Sequence, residues 1–523
     1  MDLDFTSEQE ELRSSVRDFL DKECSLQVVR ALVESGGAPT ELWASMVGLD
    51  WPALSVPEEY GGVGLGFVEL AVVAEELGRS VDPGPLLSTI SQFAPMVREA
   101  GTPEQRARFL SDVASGACTG AVALADHPRG WSLDDVTLRA ERVEGGWVLE
   151  GTKQGVMTGH GVDEVAVVAR AGDGVGAFVV PSADAGLQVV NSLDASRPTS
   201  TVTLERVIVS DDRALGEPGS AETTRAVARA IEEATTALAL ETVGACDALF
   251  QMVLAYVKDR KQFGVPVGSF QAMKHKMSNM FLAIERARSL CYFAVAAIDE
   301  DTPDRSTAVA MAKSASDACQ HLVGRESLQS FGGIGFTWEH DGHFFMKRAT
   351  ADGALFGGAP EHLRPSRPRC PPDAAPHPAG QTDAVRPGEP LIVALGLEPH
   401  PEGGWYRRTW EAPAAPGQRP AGSAIYYLLL EGEESAPHRI DATELWHFYA
   451  GDALELCREW PDGTRDRTVL GPDVAAGQRP QAVVEPGVWQ WARPLGRYAL
   501  VGATVTPAFT FEGFELRVDD DVS

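Results

Sequence analysis

Residues 328–340 read LQSFGGIGFTWEH, and this stretch decides the fold. Before it, apolar residues recur at helical spacing from Ala308 to Leu328, which predicts a helix. The three glycines predict the end of that helix and a backbone that approaches a flat or anionic ligand closely. Glycine loops also end many helices that bind nothing, so the stretch gains its meaning only together with others.

Two other stretches supply that context. Residues 259–264 read DRKQFG, with SFQA following at 269–272, and residues 57–64 read PEEYGGVG. Together with the first stretch, and in this order, they resemble the signatures of the acyl-CoA dehydrogenase flavoprotein family. The resemblance covers roughly residues 1–364. It implies an acyl-CoA dehydrogenase-family oxidoreductase that binds FAD and acts on an acyl thioester.

The resemblance also implies a multidomain fold, and the periodicity of the sequence agrees with it. The implied domains are an α-helical N-terminal domain (1–115), a middle β-barrel domain (116–220) and a C-terminal four-helix bundle (221–363). Ser7 followed by Glu10 predicts the N-cap of the first helix, and a later helix is expected to end at Gly78. Alternating apolar residues predict strands at 147–150, 164–169, 177–180 and 201–204.

Composition restricts the partners and the compartment. The 523 residues carry a formal net charge of −30, which disfavours nucleic acid and anionic membranes as partners. No apolar run long enough for a membrane span and no signal peptide is visible in the sequence. Seven scattered cysteines without a CxxC pair suit a reducing compartment. We therefore expect a cytoplasmic protein.

The resemblance assigns the phosphate-binding half of the flavin site. In this family FAD lies across a dimer interface, so a homodimer or tetramer is expected. Arg260 matches the pyrophosphate arginine, and a guanidinium suits two phosphates at once. The other matched positions, which line the cofactor or approach its phosphates, are Phe263, Gln271, Gln329, Gly332 and Gly333.

The half of the site that holds the flavin ring departs from the family pattern. Where the family has Thr-Glu-Pro and then Gly-x-Gly-Ser, residues 125–132 read ADHPRGWS. The aromatic residue that commonly follows the Gly-x-Lys turn is replaced by Gly155. Ser132 and Thr158 remain as hydroxyl donors to the ring.

The catalytic base of the family is missing from both of its usual positions. Removing an α-proton from a thioester requires a positioned carboxylate. Gly357 stands where the family has a glutamate, and Ala234 stands at the second position that the family uses. Glu233 is one residue from that second position, which is about 100° around a helix.

Three interpretations of the empty positions remain open. A displaced base such as Glu233 drives dehydrogenation, or a base-bearing partner subunit of a mixed complex supplies the carboxylate. Alternatively, the scaffold performs a different reaction, such as flavin oxygenation or a rearrangement of the acyl group. An ordinary solvated position on an exposed helix face is the favoured interpretation of Glu233.

A proline-rich stretch at 364–390 predicts an extended linker to a second module. Residues 391–523 resemble a cupin family of unassigned function, through LGLEPHPEGGWY at 395–406 and HRIDATELWHFYAG at 438–451. The resemblance implies an all-β cupin barrel. Strands are predicted at 425–430, 482–484 and 498–505.

The cupin site keeps only part of a metal-binding pattern. Metal-binding cupins usually offer His-x-His, a glutamate and a later histidine, whereas this chain has His438, Ile440, Glu444 and Gln490. Two ligands and an amide form a poor set for a transition metal, so no metal is predicted. His438 and Glu444 are instead a candidate proton-transfer pair in a pocket floored by tryptophans and a tyrosine, namely Trp446, Trp489 and Tyr427. A buried hydrogen bond without chemistry is the alternative.

These expectations combine into one hypothesis. The chain is expected to be an FAD-dependent, acyl-CoA dehydrogenase-like fusion protein that tailors a specialised metabolite. In this hypothesis the cupin module acts as an isomerase-like, epimerase-like or ligand-binding module. Fusion raises the effective concentration of one site near the other, which favours a shared acyl substrate.

Overall fold

The computed structural model describes residues 5–362, 388–415, 418–474 and 476–517. The chain divides into two compact units, Met1–Pro368 and Arg369–Ser523. Most of the predicted linker lies outside the described residues, and a short helix begins at its last residue, Pro390.

The first unit opens with seven helices. They are α1 (Ser7–Glu23), α2 (Leu26–Ser35), α3 (Thr40–Val47), α4 (Phe67–Ser80), α5 (Leu86–Ser88), α6 (Ala94–Ala100) and α7 (Pro103–Ala114). One turn of π-helix, Thr89–Phe93, joins α5 to α6. The N-cap of α1 is Thr6, which forms a capping box with Gln9, so the prediction of Ser7 was wrong by one residue.

Gly78 does not end its helix as predicted. Helix α4 continues to Ser80, and a Cβ on Gly78 would lie 2.0 Å from the backbone oxygen of Glu241. Gly244 has the same relation to Glu75, at 1.9 Å. These glycines therefore allow α4 and the long helix α8 to pack backbone against backbone.

The middle region is a seven-stranded sheet. Its strands are β1 (Gly120–Ala123), β2 (Arg139–Val143), β3 (Gly146–Val156), β4 (Glu164–Ala171), β5 (Gly174–Pro181), β6 (Leu187–Val189) and β7 (Ser200–Ser210). The four predicted strands fall within β3, β4, β5 and β7. The pairing order runs β1-β4-β2-β3-β7-β6, with β5 also paired to β4, so the sheet branches at β4.

A bundle of four helices completes the first unit. It consists of α8 (Ala221–Asp259), α9 (Gln271–Asp299), α10 (Arg305–Phe331) and α11 (Gly342–Ala354), with the hairpin β8 (Lys261–Gln262) and β9 (Val265–Pro266) and a last turn, α12 (Ala359–His362). Helix α10 ends at Gly332, as the sequence predicted. By length and apolar composition α8 is able to cross a membrane, but 78% of its most apolar window is buried within the fold. It is the core helix of the bundle.

The second unit is all-β after one short helix, α13 (Pro390–Leu395). Its strands are β10 (Glu398–Pro399), β11 (Trp405–Glu411), β12 (Ser423–Leu430), β13 (His438–Ile440), β14 (Thr443–Gly451), β15 (Leu454–Glu459), β16 (Arg465–Leu470), β17 (Gln481–Val484), β18 (Trp489–Pro494), β19 (Tyr498–Thr506) and β20 (Phe514–Leu516). They form antiparallel sheets of six and five strands, β10-β11-β12-β19-β14-β17 and β16-β15-β18-β13-β20. Apolar side chains from both sheets form one core.

Candidate functional sites

Residues predicted to bind the phosphates lie together at one exposed edge of the bundle. The Tyr256 hydroxyl donates to the Phe331 carbonyl at 3.2 Å, which brings the end of α8 next to the end of α10. Arg260 follows Tyr256 by one turn, and Gly332 follows Phe331 directly. The Lys276 ammonium donates to Gln329 Oε1 at 2.7 Å and links α9 to the same edge.

The edge is open rather than packed. Phe263 is 93% exposed and has a positive φ of 53°, an unfavourable state for an aromatic residue that stands alone in water. Cβ atoms built on Gly332 and Gly333 would meet nothing within 4 Å. Arg260 makes no ion pair with any part of the chain that the structure describes. A guanidinium, an aromatic ring and open backbone are suited to a nucleotide or a partner subunit.

The ring-side half of the site is built around the turn after β3. Thr158 is 2% exposed, and its hydroxyl lies 2.6 Å from that of Ser200. Ser132 is exposed, and its hydroxyl accepts from the Asp134 backbone N–H at 3.2 Å. Each side chain therefore has an intramolecular partner, and Ser132 keeps its own proton free for another acceptor.

The Trp131 indole lies beside Gly155, the position at which the family commonly has an aromatic residue. A Cβ on Gly155 would lie 3.0 Å from the Trp131 indole and 3.3 Å from Leu355. The Trp131 ring also packs on Phe356, with centroids 5.5 Å apart. Glycine at 155 thus makes room for an indole delivered by a neighbouring loop, a substitution that no local sequence pattern reveals.

A buried ion-pair network lies behind this turn. Arg348 is fully buried and donates to Asp194 at 2.6 Å and to Glu241 at 3.0 Å. Arg197 binds Glu241 with two bonds of 2.6 Å and Asp352 at 2.8 Å. A Cβ on Gly159 would lie 3.8 Å from Arg197 Cγ, so the network adjoins the residue that follows Thr158.

Asp82 adjoins the same network but is not paired. It is fully buried on the loop between α4 and α5, and neither carboxylate oxygen makes a hydrogen bond of good geometry to a described residue, although the nearby Gly84 backbone N–H favours the anion. Burial raises the pKa of Asp82 to about 6, against the opposing charges of Arg348 and Arg197. A buried carboxyl group with unused hydrogen-bonding capacity and a pKa near neutrality is suited to proton transfer.

The sequence analysis matched Gly357 and Ala234 to the two usual base positions, and neither residue carries a carboxylate. Gly357 has a φ of +88°, and a Cβ there would lie 3.2 Å from His362 Nε2. Ala234 is buried in the core, on α8. The backbone at 357 is therefore adapted to glycine, since an L-residue is strained at such a φ.

The structure does not bring Glu233 to the ring-side turn. Glu233 Oε1 accepts from Arg98 Nη2 at 2.5 Å, and both line a cavity with Arg229 and Arg305. None of the residues that line this cavity belongs to the ring-side group. Burial raises the pKa of Glu233, but its position between α6 and α8 argues against the displaced-base hypothesis for this residue.

In the second unit, His438, Ile440 and Glu444 line one narrow cavity, as the strand periodicity predicted. His400 and Glu402 line it too, and the sequence analysis had not proposed them as functional residues. Glu402 Oε2 lies 3.2 Å from His438 Nδ1 and 3.6 Å from His400 Nδ1. The signal that could have identified them is the HPEG segment, in which two titratable residues stand beside glycines that reverse the chain.

The predicted aromatic floor was wrong, because none of its three residues is among those that line this cavity. Trp446 and Tyr427 belong to the core between the sheets, where the Trp446 indole N–H donates to Gln490 Oε1 at 2.9 Å. Gln490 in turn donates to Glu444. Trp489 lies elsewhere, with the guanidinium groups of Arg439 and Arg517 4.7 and 4.5 Å from its ring centroid. It is an arginine-stacking surface residue because its neighbour Gln490 takes the inward position.

Comparison with known proteins identifies both units. Residues 6–117 match the acyl-CoA dehydrogenase N-terminal domain, 224–364 match the acyl-CoA dehydrogenase C-terminal domain, and 389–517 match the cupin superfamily (DUF985). The chain is 30% identical to the acyl-CoA dehydrogenase IpdE2 of Mycolicibacterium smegmatis over 366 residues, which cover 69% of this chain and 97% of that protein. The chain belongs to the acyl-CoA dehydrogenase family. It carries a cupin domain in addition.

Two solved structures show the same fold. The Tcur3481–Tcur3483 steroid ACAD is 29% identical, with a TM-score of 0.61, over 68% of this chain and 95% of that chain. The ChsE4–ChsE5 complex from Mycobacterium tuberculosis is 24% identical, with a TM-score of 0.64, over 70% and 97%. The first unit thus has the fold of an FAD-binding oxidoreductase family.

The residues of the first unit fit FAD. The open backbone at Gly332 and Gly333 and the unpaired Arg260 would hold the pyrophosphate, and Thr158 lies in the turn that would face the ring. For the cupin domain, no group of three or more histidine, cysteine or carboxylate side chains is arranged to hold a metal ion within the described ranges. The expectation that this domain binds no metal stays a prediction.

Proposed function

We propose that this protein is an FAD-dependent oxidoreductase of an acyl thioester in which Asp82 takes the α-proton. The observation that carries the proposal is the buried, unpartnered carboxyl group of Asp82 beside the ring-side turn. Gly357 and Ala234 leave the usual positions empty, and Glu233 is held by Arg98. The loop before α5 therefore provides a carboxylate at a position that the sequence pattern did not indicate.

The position of Asp82 supports this role. A Cβ on Gly159 would lie 3.8 Å from the Pro83 carbonyl oxygen, so the residue after Asp82 touches the residue after Thr158. A cavity of about 200 Å³ opens beside them, lined by Pro83, Pro85, His160 and Gly161. Asp82 is fully buried and does not itself line this cavity, but the residue after it, Pro83, does.

The neighbouring charges support the required protonation states. Arg348 and Arg197 stabilise the Asp82 anion, whereas burial and Glu241 favour its neutral form. The result is a base that is largely ionised at neutral pH and still able to hold a proton, which is the range in which general-base catalysis is most efficient. Asp352, by contrast, has its pKa raised by burial and by Glu241, and its Oδ1 accepts from Arg197.

The reaction follows from this arrangement. Asp82 accepts the α-proton of the thioester, the electrons of the broken C–H bond form the new Cα=Cβ bond, and the β-hydrogen leaves as hydride. FAD, when bound, supplies the hydride acceptor. Trp131 and Phe356 pack over this side of the turn and would keep water from it. The Thr158 hydroxyl would donate to an acceptor atom of the bound flavin ring.

The substrate is proposed to be an unusual acyl thioester of specialised metabolism, on CoA or a carrier protein, in the cytoplasm. The fusion to a cupin domain supports a dedicated substrate, because an enzyme of bulk fatty-acid oxidation does not need a second site tethered to it. Anaerobic mixing with short, medium and branched acyl-CoAs tests the proposal. Flavin bleaching in wild type, its loss in Asp82→Asn and its retention in Glu233→Gln are expected.

A second candidate, a base-less subunit of a mixed complex, rests on an exposed apolar face. Large apolar side chains are exposed on α9, on α10 and at the bundle edge, namely Phe263, Phe270, Phe281, Leu282, Met311, Ile334, Phe336 and Trp338. Such a face marks a subunit interface, and the expected assembly is a homodimer or tetramer. Native mass spectrometry of the chain expressed alone decides between the two. A monomer that binds FAD only after a base-bearing partner is added would favour the mixed complex over Asp82.

A further inference from the structure

The cavity of the second unit is lined by several acid–base groups that have no part in the proposed flavin chemistry. It lies between the two sheets, and about 40 Å³ of it is open to a water molecule. His400, Glu402, His438 and Glu444 face it, and all four are buried or nearly so. A space of this size admits a compound of a few non-hydrogen atoms and no part of a nucleotide.

The hydrogen bonds around His438 define its tautomer. His438 Nδ1 lies 2.9 Å from the Ala436 carbonyl oxygen and 3.2 Å from Glu402 Oε2. A carbonyl oxygen only accepts, so Nδ1 carries the proton and Nε2 keeps its lone pair. Burial lowers the pKa of His438, which keeps the ring neutral. His438 is therefore a base whose orientation is fixed by the carbonyl and carboxyl groups behind it.

The two carboxyl groups have different surroundings. Glu402 is buried with little compensation, and burial raises its pKa to about 8. Burial also raises the pKa of Glu444 to about 7, although Gln490 donates to it. At neutral pH, Glu402 is thus mainly a proton donor, and Glu444 is present in both forms. A donor, a neutral imidazole and a carboxyl group that exchanges its proton face the same small space.

The cavity mouth selects the class of ligand. Arg408 lines it from β11, half-exposed, with Nη1 donating to Glu411 at 2.9 Å. Phe511 is 58% exposed and packs edge-on with Phe509 and Phe514, at 5.2 and 6.4 Å between centroids. A cation beside an aromatic wall suits a small organic carboxylate, whose charged end stays at the mouth while its carbon chain enters.

We propose that the cupin domain is a second active site, at which His438, Glu402 and Glu444 shift a proton within a small 2-oxo carboxylic acid. His438 Nε2 takes a proton from the carbon next to the carbonyl group. The C–H electrons form the enol double bond, and the carbonyl oxygen takes the proton of Glu402. The enol hydroxyl then returns its proton to Glu402 while the carbon takes a proton back from His438 Nε2, which exchanges the hydrogen of that carbon. Delivery from Glu444 to the opposite face inverts the carbon instead, and the proton held by His438 then passes to Glu444, so no atom is gained or lost and nothing is oxidised.

The alternative, a buried hydrogen bond with no chemistry, explains less of this cavity. A purely structural His–Glu contact is satisfied by one carboxyl group, whereas this cavity holds two, each of which raises the free energy of the folded state by being buried. The proposal uses all of these groups, and it does not depend on flavin binding by the first unit.

Hydrogen–deuterium exchange at carbon tests the proposal directly. The full chain is incubated in D2O with pyruvate or 2-oxobutyrate, and loss of the C3 proton signal is followed by NMR. Wild type is expected to accelerate exchange, and both His438→Asn and Glu402→Gln are expected to slow it by about 10²–10⁴-fold. Arg408→Gln should raise KM with little change in kcat, because in this proposal Arg408 binds the carboxylate and takes no part in proton transfer.

His447→Gln is the matched control. His447 is on the same strand as Glu444 but faces away from the cavity, where it bonds Thr504 and Gln481. Its replacement should leave exchange unchanged. Exchange no faster than in buffer for both compounds overturns the proposal, and so does wild-type exchange in His438→Asn. Since Glu402→Gln removes an unfavourable buried carboxyl group, it should fold, which circular dichroism and a thermal scan can verify.

Discussion

Replacing Asp82 with asparagine separates a catalytic role from a structural one. Both oxygens of Asp82 are buried and unpartnered, so the carboxylate destabilises the folded protein when it ionises. The charged groups that face it are Arg348, Arg197 and Glu241. An amide of the same shape removes the ionisation but leaves the packing unchanged. Asp82→Asn is therefore expected to stabilise the first unit and to abolish proton removal.

The size of the stability gain follows from the pKa. In the folded protein the pKa of Asp82 is about 6, compared with an ordinary value of 3.8. The unfolded chain therefore releases the Asp82 proton at lower pH, so ionisation of Asp82 favours unfolding. At pH 7 this amounts to about 3 kcal/mol, and at pH 5 to about half of that. Because the amide also lacks partners, the net gain at pH 7 is expected to be about 1–3 kcal/mol. The gain should shrink as the pH falls.

Two measurements on the FAD-loaded full chain check this. Hydrogen exchange of the α8 amides reports the opening free energy of the first unit, and anaerobic flavin bleaching by acyl-CoA reports proton removal. Asp82→Asn should slow bleaching by about 10²–10⁴-fold. Glu233→Gln is the control, since it weakens the pair with Arg98 and should lower stability without slowing bleaching. A destabilised Asp82→Asn protein, or one that bleaches at the wild-type rate, contradicts the assignment.

Three other changes have defined outcomes. Arg260→Ala should release flavin, losing a charged hydrogen bond of about 1.5–3 kcal/mol, and unchanged flavin content in the purified variant would show that Arg260 does not bind it. Gly357→Glu should lower the melting temperature, since a φ of +88° strains an L-residue by about 1–3 kcal/mol, and an unchanged value would contradict this. Ionisation of Glu402 should contribute a fall of about 2–3 kcal/mol in the opening free energy of the second unit between pH 5 and pH 7, because the unfolded chain releases this proton first. Glu444 and His400 titrate with contributions of their own, so the Glu402 contribution is read as the difference in slope between wild type and Glu402→Gln in hydrogen exchange, and equal slopes would contradict it. The titratable groups around Glu402 are His400, His438, Tyr427 and Glu444.

The sequence was sufficient wherever a local pattern carries the information. The end of α10 at Gly332, the main strands of the middle sheet and the inward direction of His438 and Glu444 all follow from periods of 3.6 or 2 and from glycine chemistry. Gly78 shows the limit of such reasoning. In a sequence, a glycine often indicates the end of a helix. Gly78 instead permits close contact with a helix more than 150 residues away in the chain, which only the tertiary structure reveals.

The site residues that the sequence analysis missed are linked only through space. Asp82 resembles an ordinary loop aspartate until the fold surrounds it with Arg348, Arg197 and Glu241, which are far apart in the chain. Glu402 resembles a turn residue until His438 approaches from another strand. Conversely, Glu233 was proposed for its closeness in sequence to an empty position, and one helical step of about 100° directs it to Arg98 instead.

Asp82 in the first unit and Glu402 in the second share one property. Each is a carboxyl group that burial holds near its neutral form, and each is replaceable in shape by an amide that does not ionise. A group that lowers stability in this way contributes nothing to folding that asparagine or glutamine does not also provide. What the amides lack is the ability to accept and release a proton. Proton transfer is therefore the property that distinguishes the carboxyl groups from their amides. Asp82→Asn tests this property in the first unit, and Glu402→Gln tests it in the second.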